Sequence, residues 1–270
     1  MQERPENRPP LGGPGPEALV RAAQRLSTAP QRRRFYKDVS LEQAGGKFAV
    51  LLDGRAAKTP GGHPLAVAVR ALAEDIAREW SAQGGTLDPS SMPLTRLVNA
   101  ALDGVAGEMA AVRAEIVRYA GSDLICYRAG EPEGLVEAQG RSWDPVLDFM
   151  RERHGARFTL AQGVVFTPQP EAALSALSRA VGAFTDPVPL AALSAVTTLT
   201  GSALIALALS GGLFDTAAAW DAAHVDEDFQ WRLWGADAEA QARRDARWVE
   251  MKAAGRVLDF LNDERILKSN

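Results

Sequence analysis

The run from Leu190 to Leu209, LAALSAVTTLTGSALIALAL, is twenty residues without a charge, and any fold open to this chain has to bury it. A stretch of that length is also long enough to cross a bilayer. Yet Thr197, Thr198, Thr200, Gly201 and Ser202 put polar and flexible residues at its midpoint, where hydrocarbon is least forgiving. Neither a lysine–arginine cluster nor an aromatic belt flanks it. A buried helix, or two helices broken near Gly201, meets the same constraint inside a protein core. We therefore expect a helical core built on this segment and no stable membrane insertion. A membrane-associated factor anchored through residues 190–209 is the alternative.

The rest of the chain has the composition of an ordinary globular protein. Of its 270 residues, 46% are hydrophobic and 24% charged, and the formal net charge is −4. That balance gives no reason to expect nucleic acid or an anionic membrane as partner. The run Arg32-Arg33-Arg34 is read as solvated rather than phosphate-binding. Cys126 is the only cysteine, so no internal disulfide and no thiolate-rich metal site is available. The first residues, MQERPENRPPLGGPGPEALV, lack the apolar core of a secretory signal, and Glu3 and Glu6 argue against a mitochondrial presequence. Their proline and glycine content predicts a disordered tail over residues 1–32.

From residue 34 the pattern is that of strands and turns. RFYKDVSLEQ alternates into Ala44-Gly45-Gly46, KFAVLL runs into Asp53-Gly54, and RAAKT ends in Pro60-Gly61-Gly62. Asp-Gly readily takes the two positive φ angles of a type I′ hairpin turn, so a small antiparallel meander is expected. After Ala68 the period changes: Val69, Leu72, Ala73, Ile76 and Trp80 recur at helical spacing, and Pro93 suits the first turn of a second helix. Asp144-Pro145 predicts a further helix start. Arg157 to Thr167 alternates as a strand that returns to the sheet, and helices are expected over 170–184, 189–210, 214–234 and 237–262. The fold class is thus α+β: a tail over 1–32, a β-containing domain over 33–128 and a helical domain over 129–270.

No familiar catalytic or cofactor motif is present. Gly12-Gly13-Pro14-Gly15 has no strand before it to form a dinucleotide cradle, and there is no phosphate-binding G-x-x-x-x-G-K-[ST] loop, G-x-S-x-G elbow or H-E-x-x-H pair. No cofactor is expected. His63 falls in a turn, and His154 precedes Gly155 at a helix end. His224 and Asp228 have the i, i+4 spacing of metal ligands, but nothing points to a third ligand, so a surface pair is expected instead. Cys126, among apolar neighbours with no local base, reads as a buried inert thiol.

The stretch WDAAHVDEDFQWRLWG, residues 220–235, is the most unusual. On a single helix, Trp220, Ala223, Glu227, Trp231 and Trp234 form one stripe, while Ala222, Val225, Phe229 and Leu233 lie nearly opposite. A surface helix needs only one apolar face, so the second has to meet another helix, a ligand or a partner. Residues 215–239 hold seven acids and one base, Arg232. Acids among aromatics suit the recognition of a basic, partly apolar protein surface. The alternative is a central core helix. On this reading Trp234, beside Gly235, belongs to the core and Trp231 is partly exposed.

Several stretches in register carry a family resemblance: RFYKDVSLEQAGGKFAVLLDGRAAKTPGGHPLAV, LAEDIAREWSAQ, DPSSMPLTRLVNAALD, SDLICYRA, QGRSWDP and DEDFQWRLWG. Together they resemble the assembly chaperones of the ATP synthase catalytic head, over about residues 33–262. The resemblance implies a β-containing N-terminal domain, a helical C-terminal domain and no catalytic chemistry. It implies binding of free alpha subunit of the F-one sector until the beta subunit takes it over. It also implies that Glu227, within DEDFQ, corresponds to the family's functionally important acid. The expected partner-binding residues are Glu227, Asp226, Asp228, Gln230 and Trp231. Eukaryotic members are mitochondrial; with its Pro/Gly tail this chain looks like a bacterial, cytoplasmic relative, monomeric when free. An enzyme with an inter-domain cleft using Glu227 and Asp228 is the other reading, though adjacent helical residues diverge by about 100° and cannot jointly flank one bond.

Overall fold

The computed structural model describes residues 33–163 and 165–269. The tail expected over residues 1–32 lies outside the described residues. The predicted meander is present. Strands β1 (Val39–Ala44) and β2 (Lys47–Leu52) pair antiparallel, with Ala44 opposite Lys47 across Gly45 and Gly46. Asp53 (φ 49°) and Gly54 (φ 74°) then turn β2 into β3 (Arg55–Ala56), with the two positive φ angles that the Asp-Gly pair predicts. The chain returns at β4 (Ala66–Val67), which pairs with the other end of β2. Helix α1 (Arg70–Ser81) lies on this sheet through Leu72, Ala73 and Ile76.

Helices α2 (Pro93–Asp103) and α3 (Met109–Ala120) follow. The N-terminus of α2 is capped from a distance: the Glu79 carboxylate accepts the N–H groups of Leu94 and Thr95, each at 2.8 Å. Next come β5 (Tyr127–Arg128), α4 (Glu133–His154) and β6 (Ala161–Gln162). Two expectations fail here. Pro145 does not start a helix but lies inside α4. Its missing N–H falls on the exposed face, where the carbonyl of Arg141 can meet water, while buried Gln139, Trp143, Val146 and Met150 hold the opposite face in the core. The strand predicted over 157–167 reduces to β6, which pairs parallel with β5 and not with the main sheet. The Gln169 amide takes the backbone N–H and C=O of Thr159 at 2.8 and 2.9 Å, closing a loop where a longer ladder would have run.

Helix α5 (Glu171–Gly182) leads to the uncharged run, which forms α6 (Pro187–Thr200) and α7 (Ala203–Ser210), broken at Gly201 with φ 70°. The break is satisfied internally. Thr197 and Thr200 hydroxyls donate to the carbonyls of Leu193 and Val196, and Ser202 caps α7 by accepting from Ile205 N–H at 3.0 Å. The buried Asp123 carboxyl accepts from Leu204 N–H at 3.1 Å. No helix among the described residues is long and apolar enough to cross a membrane. Helices α8 (Thr216–Ala223), α9 (Val225–Trp234) and α10 (Ala238–Ser269) complete the chain. α10 packs along α6 and is tied to the N-terminal half by Arg256–Asp75 at 2.8 Å and by Arg96–Glu250. The architecture is α+β, and one apolar core runs from Tyr36 to Phe260, with α7 wholly and α6 mostly buried in it.

Candidate functional site

The helix predicted over 214–234 breaks at His224 (φ −115°, ψ 16°) into α8 and α9. At the break the His224 Nδ1 lies 2.7 Å from the Trp220 carbonyl, the acceptor that the His224 backbone N–H would use in a continuous helix. The backbone N–H of His224 goes to Asp221 instead, at 3.1 Å. The imidazole lies against the Trp220 indole, with ring centroids 4.0 Å apart. Burial pushes the His224 pKa below its ordinary value, with Arg244 acting in the same direction, so the ring is neutral near pH 7. Asp226, Glu227 and Asp228 then form the first turn of α9, where the helix dipole favours negative charge.

The break separates the residues that a continuous helix would align. Trp220 is 6% exposed and belongs to the core, whereas Trp234 is 77% exposed. The expectation that Trp234 is a core residue is therefore wrong. Trp231 is half-buried, as expected. Leu233, adjacent to Trp234, is 58% exposed.

The acids of α9 have different neighbours. Asp226 accepts from the Gln139 amide at 2.8 Å, and the same Gln139 accepts from Ala129 N–H, so Asp226 ties α9 to α4. Asp228 faces α10 and pairs with both terminal nitrogens of Arg244, one of them at 3.2 Å. That guanidinium also lies 4.9 Å over the Trp231 ring. Burial opposes the charge on Arg244, but the Asp228 carboxylate more than offsets this and raises its pKa. Glu227 points outward; its ion-pair contact is a 4.0 Å approach to the neutral His224. Gln230 is exposed. His224 and Asp228, the i, i+4 pair, are thus engaged with Trp220 and Arg244 respectively. Glu227 and Asp228 face different surroundings.

Trp231 stands between two open grooves. One, about 640 Å³, runs between α4 and α9 past Arg141, Ser142 and Asp228. The other, about 310 Å³, lies between α9 and α10 past Gln241, Arg244 and Trp248. The apolar tip Leu233-Trp234 extends beyond them. Gln139 and Arg244, which fix α9 in place, carry no local signal as site residues, because each stands on a different helix from its acid. The acidic field read from residues 215–239 alone is accordingly reduced by Arg244, supplied from the next helix. Of the remaining candidates, buried Cys126 has its thiol pKa pushed up to about 12 by burial, which removes it as a nucleophile. Arg34 is spent on the backbone, donating to the Gln83 carbonyl at 2.6 Å.

Comparison with known proteins places this architecture among relatives. A family model described as ATP12 chaperone protein matches residues 33–151. The curated Protein atp12, mitochondrial, of Schizosaccharomyces pombe is 28% identical over 143 residues, covering 50% of this chain and 49% of that protein. The chain spans about half the length of the curated relatives it matches. A solved structure of a candidate chaperone from Agrobacterium tumefaciens is 44% identical, covering 89% of this chain and 90% of that one, with a TM-score of 0.82. The crystal structure of Atp12 from Paracoccus denitrificans is 39% identical, covering 85% of this chain and 98% of that one, with a TM-score of 0.80.

Proposed function

The chain belongs to the ATP12 chaperone family, and from that membership we propose that it serves assembly of the ATP synthase catalytic head by holding free alpha subunit. The family is one of chaperones and not of enzymes. The proposed docking surface is the outward side of α9: Glu227, Gln230 and Trp231, held in register by Asp226 and Asp228. The observation that carries it is the large exposed apolar tip, Leu233 and Trp234, beside an outward acid on a helix braced from both sides. Exposed aromatic anchors next to a polar rim are what a transient protein interface requires.

The physical logic is competition. An unassembled subunit exposes an apolar interface prone to aggregation. A chaperone on that interface has to bind well enough to protect it and still lose to the larger final contact. The beta subunit then displaces it by mass action, without nucleotide hydrolysis. The proposal includes a cytoplasmic location and a monomeric state when free; the curated relatives are named as mitochondrial proteins. It keeps the division into a β-containing unit over residues 33–128 and a helical unit over 129–270. Gel filtration tests the reading: the protein co-elutes with isolated alpha subunit and not with the assembled head. Equal association with both removes the competition mechanism.

A further inference from the structure

Away from α9, three helices end at one concavity. α4 ends at His154, α5 at Gly182 and α7 at Ser210, and together they enclose a cavity of about 440 Å³. Its floor is apolar, with Ala176, Phe184 and Leu207 all buried. Its rim is cationic: Arg153 and His154 on one side, Arg179 on the other, and no carboxylate among the described residues lines it. The two grooves beside Trp231, by contrast, carry charges of both signs.

The rim is built rather than incidental. Phe149 lies against the backbone at Gly211, where an added Cβ would stand 2.4 Å from its ring. Arg153 lies 5.7 Å over that ring, and His154 meets it edge-on at 5.8 Å. Neither Arg153 nor Arg179 has a hydrogen bond or ion pair among the described residues. The adjacent Arg151 does, with Asp148 at 2.6 Å and Glu152 at 3.1 Å. Burial and the neighbouring Arg153 hold His154 below the usual imidazole pKa, so at neutral pH the charge of the rim rests on the two arginines. Cations in the last turn of a helix complement its dipole, which accounts for each one singly. It does not account for their convergence on one apolar-floored cavity.

We propose that this cavity binds the carboxylate of an acidic, partly apolar polypeptide segment, held between Arg153 and Arg179 with an aliphatic neighbour on the Phe184–Leu207 floor. Guanidinium forks match a carboxylate geometrically, and the volume suits one anionic and one apolar side chain.

Fluorescence anisotropy with a labelled hexapeptide alternating glutamate and leucine tests the proposal at low ionic strength. The expected result is saturable binding, weakened at least about tenfold in Arg153→Gln/Arg179→Gln and further in Arg153→Glu/Arg179→Glu. A glutamine–leucine peptide of equal length binds about tenfold or more weakly. The charge-matched control Lys47→Glu/Arg55→Glu, on the distant hairpin, leaves binding unchanged, and melting curves confirm that each variant folds. Absence of saturable binding, equal binding by the glutamine peptide or indifference to both arginine pairs overturns the proposal. So does displacement by inorganic phosphate as effective as that by unlabelled peptide, which would mark a small-anion pocket.

Discussion

Asp228 on α9 and Arg244 on α10 form an ion pair that closes one helix onto the other, with the Arg244 guanidinium lying over Trp231 as it does so. The pair holds the candidate docking helix from one side, and the Asp226–Gln139 hydrogen bond holds it from the other. The surface presented to a partner is therefore set by residues that do not themselves face outward.

Arg244→Ala is expected to destabilise the fold by about 1–2 kcal/mol, a value discounted for the partial exposure of Asp228. Asp228→Asn should cost no more than this, and the double variant should cost less than the sum, since the two residues share one contact. Urea melts of the three proteins measure the coupling. Strict additivity would show that the pair does not brace α9.

The tryptophans of the late helices should divide by burial. Trp220→Ala removes a core side chain and is expected to cost about 3–5 kcal/mol. Trp234→Ala changes an exposed one and should cost about 0.5 kcal/mol or less. Chemical denaturation separates these outcomes clearly. A loss at Trp234 comparable to that at Trp220 would mean that the tip packs into the protein.

That contrast also marks how far the sequence could be read. The Asp53-Gly54 hairpin, α1 and the break near Gly201 were legible because each depends on local rules: a turn dipeptide, an apolar period, a left-handed residue. The path through Pro145 was not, because tertiary burial of Trp143 and Met150 overrides a local start signal. The break at His224 was hidden as well. A histidine side chain capping its own helix leaves no compositional trace, and missing it put Trp234 on the wrong face. At the candidate site, the acids of α9 could be seen in the sequence, whereas Arg244 and Gln139 became visible only once the helices were packed.

Asp123 is expected to make stability depend on pH. Its carboxyl is buried at the start of α7, and burial raises its pKa from 3.8 to about 6 despite hydrogen bonds from Ser202 and backbone N–H groups. A folded-state pKa above the unfolded value means that the folded protein holds the proton more tightly. The stabilisation is thus fully present below about pH 4 and is lost as pH rises through about 6. Asp123→Asn, which cannot titrate, should flatten the stability profile across that window relative to the parent. Parallel profiles for the two proteins would show that Asp123 does not titrate there.

The most direct test of the account is a titration of isolated alpha subunit with the Glu227→Lys variant, followed by gel filtration and circular dichroism. Glu227 is outward and makes no close ion pair among the described residues, so the variant should keep its helical spectrum and its melting midpoint. Its affinity for alpha subunit should fall by more than about 2 kcal/mol, because a reversed charge opposes the group that the carboxylate would meet. Undiminished binding by a folded Glu227→Lys protein would contradict the assignment of α9 as the docking surface.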